Sequence, residues 1–116
     1  MKKNLNPLYE GWFSNLFNSP EKYFRKEILP KFENNILIFI NNLLSNPQFK
    51  GYSVYKDCEI NDIELKDKIK QKYSCEVEWL ASKKNSFTSH VSFSLPVVFD
   101  MQGHYKLGKM EVYIFN

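Results

Sequence analysis

The sequence predicts an α+β fold, with N-terminal helices packed on one face of a mainly antiparallel sheet of about four strands, in the order α-α-β-α-β-β-β. Three observations predict it. As far as Ser45, apolar residues recur at three- and four-residue steps, the period of a half-buried helix. From Cys75 onward they recur every second residue, the period of a strand with one buried face. The chain is 116 residues long and 43% hydrophobic, enough for one core and one domain. Helices clustered first and strands clustered last give segregated layers rather than a parallel, doubly wound sheet. The domain divides into a helical part (6–46), a strand and helix (51–73) and an antiparallel meander (75–116).

Asn6-Pro7 is a helix start, with an Asn cap and proline at the first helical position. Leu8, Trp12 and Leu16 line one face as far as Asn18. Ser19-Pro20-Glu21 repeats the signal, and Glu21 sits where the helix dipole favours an anion. Tyr23, Phe24 and Ile28 should turn inward. Lys22, Arg25 and Lys26 form a solvated basic face. Pro30 removes a hydrogen bond and ends this helix.

The most apolar periodic stretch follows at 31–45. Phe32, Ile36, Leu37, Phe39, Ile40, Leu43 and Leu44 form a broad stripe, and Ile38 points away from it. This helix is expected to lie across the inner face of the sheet, with Phe39→Ala costing about 3–5 kcal/mol.

Tyr52 and Val54 mark a short strand. Ile60-Asn61-Asp62-Ile63-Glu64-Leu65 carries a capping-box pattern: Asn61 caps, Glu64 reaches back, and Ile60 staples against Leu65. A helix to Tyr73 is expected, with Leu65, Ile69 and Tyr73 inward and Lys66, Lys68, Lys70 and Lys72 outward. Cys75, Val77, Trp79 and Ala81 then alternate along a strand. After a turn at 82–86, Phe87, Val91, Phe93 and Leu95 mark the next, continuing to Met101. Pro96 implies a bulge or an edge position there. Gln102-Gly103 is a hairpin turn, and the chain returns to Phe115 with Met110, Val112 and Ile114 opposed to Glu111, Tyr113 and Phe115. If the strand at 52–57 ran parallel to 75–81, Cys58 and Cys75 would lie at opposite ends of the sheet.

The net charge is +3, with eight lysines and arginines against five acids in residues 1–58 and eight against eight in 59–116. A balance this mild does not imply a nucleic-acid partner. Asn4, Asn6, Pro7, Glu10 and Asn15 break up any leader-like apolar run, and Asn41 and Asn42 cut the apolar run short of the ~20 residues of a membrane span. A cytoplasmic location with reduced thiols and no membrane partner is the expectation.

A one-sided sheet leaves its second face to solvent. The positions on that face are Glu76, Glu78, Thr88, His90, Ser92, Ser94, Asp100, Gln102, Glu111 and Tyr113, a mixed polar surface suited to binding. Two histidines suggest an alternative, a metal-independent ribonuclease with His90 and His104 as acid and base and Lys106 or Lys109 steadying phosphate charge. Glu64-Leu65-Lys66 with Asp57 echoes a metal-dependent nuclease pattern, but on a helix start rather than a strand. Cys58 and Cys75 lack metal-ligand spacing, so no metal is expected. No phosphate loop, dinucleotide fingerprint or nucleophile elbow occurs, and no cofactor is expected. In size and texture the outline resembles the small α+β proteins that bacteria and phages use as inhibitors or immunity partners. That resemblance implies a non-enzymatic module whose partner is another protein, a larger enzyme or toxin, engaged by Glu76, Glu78, His90, Ser92, Asp100, Glu111 and Tyr113. A weak nucleic-acid binder is a second alternative.

Overall fold

In the computed structural model, which describes residues 19–116, two helices precede an antiparallel sheet of six strands. The helix expected at 6–18 lies outside the described residues. Helix α1 (Pro20–Tyr23) begins as expected: the Ser19 hydroxyl accepts from the Lys22 amide at 3.2 Å. It widens into a π-helical turn (Phe24–Ile28) and tightens into a 3-10 turn (Leu29–Lys31). These departures surround Pro30, whose ring and missing N–H cannot continue a regular α-helix. Helix α2 (Glu33–Leu44) follows.

The strands are β1 (Tyr52–Val54), β2 (Glu59–Asp67), β3 (Lys72–Lys83), β4 (His90–Asp100), β5 (Tyr105–Leu107) and β6 (Glu111–Phe115). Both β1 and β2 pair with the same edge of β3, one after the other. In the same way β5 and β6 share the far edge of β4. The six strands therefore make four antiparallel ribbons: β1/β2, β3, β4 and β5/β6. The meander expected from residue 75 begins at residue 52.

Pro96 lies inside β4, and the break between β5 and β6 accommodates it. Its carbonyl accepts from the Gly108 amide at 2.7 Å, so its nitrogen faces the interrupted ribbon, where no ladder donor is needed. A Cβ at Gly108 would meet the Pro96 ring at 3.1 Å, a tight contact that glycine avoids.

Three expectations are corrected. The segment 60–73 is strand β2 and a turn, not a helix. Two β-bulges, between Asn61 and Glu64 and between Leu65 and Asp67, break its alternation, and Asp62 adopts φ 55° at the first. Ile60 and Ile63 thereby share a half-buried status at a spacing of three, which reads as helical. Leu65 and Ile69, expected inward, are exposed. Second, the stripe of α2 is narrower than expected. Phe32, Ile40 and Leu44 are buried and Ile36, Leu37 and Leu43 pack partly, but Phe39 is 48% exposed. Ile38 does point outward, at 60%. Third, Phe87 is fully exposed in the loop before β4, and Val112 and Ile114 remain about half exposed although they carry the inner-face parity.

The inner face is otherwise as expected. Cys75, Val77, Trp79 and Ala81 of β3 and Val91, Phe93, Leu95, Val97 and Phe99 of β4 are buried. Because β1 and β2 both run antiparallel to β3, the parallel arrangement considered for the cysteines does not occur. Cys58 and Cys75 are free buried thiols.

The 101–104 hairpin is held by one carboxylate. Asp100 accepts from the amides of Gln102 (2.8 Å) and His104 (3.1 Å) and from His104 Nδ1 (2.9 Å). Gly103, at φ 94°, supplies the left-handed turn. Burial alone would raise the Asp100 pKa, but the His104 ring and these amides together hold it below the ordinary 3.8. A carboxyl lowered on folding stabilises the folded state above its unfolded pKa, and that contribution is lost as pH falls through the folded value. An NMR titration should find the Asp100 midpoint below 3.8; a midpoint at or above that value contradicts the arrangement.

Candidate binding face

The helices pack against one face of the sheet, and strand parity assigns the other face its side chains. Along β3 these are Ser74, Glu76, Glu78 and Leu80; along β4, His90, Ser92 and Ser94; along β6, Glu111, Tyr113 and Phe115. Register aligns them in rows: Glu78 is opposite Ser94 and Ser94 is opposite Glu111, while Leu80, Ser92 and Tyr113 form the next row. The Asn61–Asp62 bulge of β2 closes the far side. All of these except Ser74 and Glu111 line an open groove of about 320 Å³.

Ser92 and Ser94 are buried on the floor of this groove, and both hydroxyls are committed. Ser92 Oγ donates to Glu78 and Ser94 Oγ to Glu76, each at 2.5 Å. Asn61 Nδ2 lies 3.5 Å from the other Glu78 oxygen. At the rim Tyr113 donates to Glu111 at 2.5 Å, which raises the Tyr113 pKa; the charges of Glu111 and Glu76 add to the effect. His90 stacks on Phe115 with ring centroids 4.5 Å apart and planes 20° apart. Neutral hydroxyls and an amide orient the carboxylates of Glu76 and Glu78. Among the described residues no lysine or arginine forms an ion pair with either of them. Such a surface sets carboxylates beside aromatic rings, and it is chemically suited to cationic donors.

Of the residues expected on a binding surface, the structure brings Glu76, Glu78, His90, Ser92 and Tyr113 into one groove, with Glu111 bonded at its rim. Asp100 is not among them: it caps the hairpin at the other end of β4. Gln102 belongs to that hairpin through its backbone, and Thr88 lies in the loop before β4. The groove also includes Asn61, Asp62, Leu80 and Phe115, which sequence reasoning did not select. Phe115 carries the same parity as Glu111 and Tyr113 and was legible on that ground. Asn61 and Asp62 were hidden by the helical reading of their segment.

The histidine pair of the ribonuclease alternative does not assemble. His90 begins β4, whereas His104 is bonded to Asp100 at its end, so the strand separates them by about 30 Å. His104 and Lys106 share a separate shallow pocket of about 200 Å³ with Lys72, Val98 and Asp100. No group of three His, Cys, Asp or Glu among the described residues is placed to hold a metal ion. No described helix is long and apolar enough to cross a membrane. Comparison of the chain with protein-family models, with curated proteins and with solved structures found no match.

Proposed function

We propose that this chain is a small cytoplasmic protein-binding module, an inhibitor or immunity-type partner of a larger enzyme or toxin, and that it binds through the groove on the outer sheet face. The observation that carries the reading is the pair Glu76 and Glu78, held by Ser94 and Ser92 and lining the groove with no ion pair to any described lysine or arginine. A rigid strand scaffold fixes both carboxylates, so little side-chain freedom is lost when a lysine or arginine of the partner meets them. Tyr113, Phe115 and His90 supply flat rings at the rim, where aromatic side chains contribute strongly to binding energy. An enzyme acting on nucleic acid presents a basic cleft, and this groove has the charge to cover one. The net charge of the chain is +3, so the complementarity resides in the groove rather than in the molecule as a whole.

Capture of the partner from the native cell, with wild type and with Glu76→Gln/Glu78→Gln, tests the reading. The expected result is capture of a basic protein, weakened at least tenfold by the double substitution and sensitive to salt. Capture that is indifferent to both changes would sink it.

A further inference from the structure

Among the described residues β6 is an edge strand without the usual protection, and the geometry points to a second copy of this chain as its partner. One side of β6 pairs with β4 from Glu111 to Phe115; among the described residues no strand pairs with its other side. All five of its residues are exposed, Val112, Tyr113, Ile114 and Phe115 each by 43–51%. Natural edges are guarded by lysine, proline, bulges or inward charges. The other edge of this sheet has such guards, since β2 carries two bulges and the charges of Glu59, Asp62, Glu64, Lys66 and Asp67. The run from Glu111 to Phe115 has no lysine, proline or bulge.

The pattern of β6 complements itself. In an antiparallel pairing centred on Tyr113, Tyr113 faces its own copy, Val112 faces Ile114, and Glu111 faces Phe115. Directly opposed positions share a face, so the inner face gains a continuous row of valine and isoleucine. The two Glu111 carboxylates sit four residues apart along the pair, about 13 Å, beyond the screening length of about 8 Å at physiological salt. Parallel in-register pairing would set them side by side. The two-fold arrangement uses the same patch on both copies and closes after two, which removes the edge instead of extending it into a fibre. Pairing β6 with the guarded β2 edge would be open-ended. In the closed dimer each copy places its Phe115 beside the other's Glu111, so two grooves meet across the junction and each gains a ring from the partner copy. A five-residue edge buries little area, so the dimer belongs with small, concentration-dependent interfaces.

Sedimentation velocity of the full chain from micromolar to near-millimolar concentration tests this. The expected result is a shift from monomer to dimer, with amide exchange at 111–115 slowing as the dimer forms. Ile114→Lys and Val112→Lys, both at exposed positions, should each raise the concentration of half-dimerisation at least tenfold with an unchanged far-ultraviolet spectrum. A monomer at every concentration overturns the inference, including the case in which the edge accepts only a foreign peptide. So does a dimer that survives both lysine variants, or one that leaves exchange at 111–115 unchanged. Should a lysine variant unfold, the exchange data on wild type still decide. Glu76→Gln/Glu78→Gln leaves β6 unaltered, so this outcome is separable from that of the groove.

Discussion

Phe24→Ala is expected to destabilise the protein by about 3–5 kcal/mol, and Phe39→Ala by under about 1 kcal/mol. Phe24 is 0% exposed, the first residue of the π-helical turn after α1. Its ring lies 4.9 Å from that of Phe99 and 6.2 Å from that of Phe32. Phe99 in turn stacks on Tyr73 at 5.6 Å. One aromatic chain thus runs from the helical layer through β4 to β3. Removing its inner ring leaves a cavity between Phe99 of β4 and Phe32 of the helical layer. Phe39, at 48% exposure, loses much less on truncation. The cost for Phe24 is a large share of the roughly 5–15 kcal/mol that holds a domain together. Urea unfolding of both variants, with the slope of the transition checked for constancy, measures the contrast. Equal costs at the two positions would contradict this packing.

That contrast shows what the pattern of residues conveyed about the fold and where it misled. Strict alternation in 75–81 and 90–99 identified the inner face because β3 and β4 are central, regular and unbroken. The class and layer order followed from it. The stripe at 31–45 correctly indicated a helix but overstated its buried arc: hydrophobicity records what a face can bury, not how much surface the neighbouring sheet offers. The 60–73 segment failed for another reason. Each bulge inserts one residue and resets the parity of β2, turning a period of two into an apparent period of three or four. The tertiary pairing with β3 then overrides a good local capping signature.

The groove was half legible on the same terms. Residues on β3 and β4 were placed by parity, and their convergence follows from register, which alternation alone does not determine. That no described lysine or arginine pairs with Glu76 or Glu78 was not visible in the sequence, because lysines are plentiful nearby in number but not in register. The hairpin residues Asp100 and Gln102 share the polar parity yet lie at the other end of the sheet. A face read from alternation has width but no length limit, and only the geometry divides it into a groove at one end and a capped turn at the other.

The alkaline limit of stability supplies the second large effect. Cys75 is 3% exposed on the inner face of β3, opposite Val97. Burial, reinforced by the charge of Glu76, pushes its thiol from 9.0 up to about 12. Cys58 moves in the same direction, mainly by burial and then by Glu33, with Arg25 opposing. A thiol raised on folding stabilises the folded state fully below its unfolded pKa, and the contribution is lost as pH rises toward the folded value. Above about pH 9 the unfolded chain sheds the Cys75 proton while the folded chain keeps it, a loss of about 1.4 kcal/mol per pH unit from this one group. Urea midpoints recorded from neutral pH to above pH 11 should therefore fall more steeply in wild type than in Cys75→Ala, which carries a fixed cavity cost and no thiol to ionise. The comparison cancels the titration of lysines and tyrosines common to both proteins. Parallel curves would show that the thiol ionises as easily folded as unfolded. A thiol held protonated in this way is a poor nucleophile at neutral pH, so Cys75 serves the sheet as a small apolar side chain.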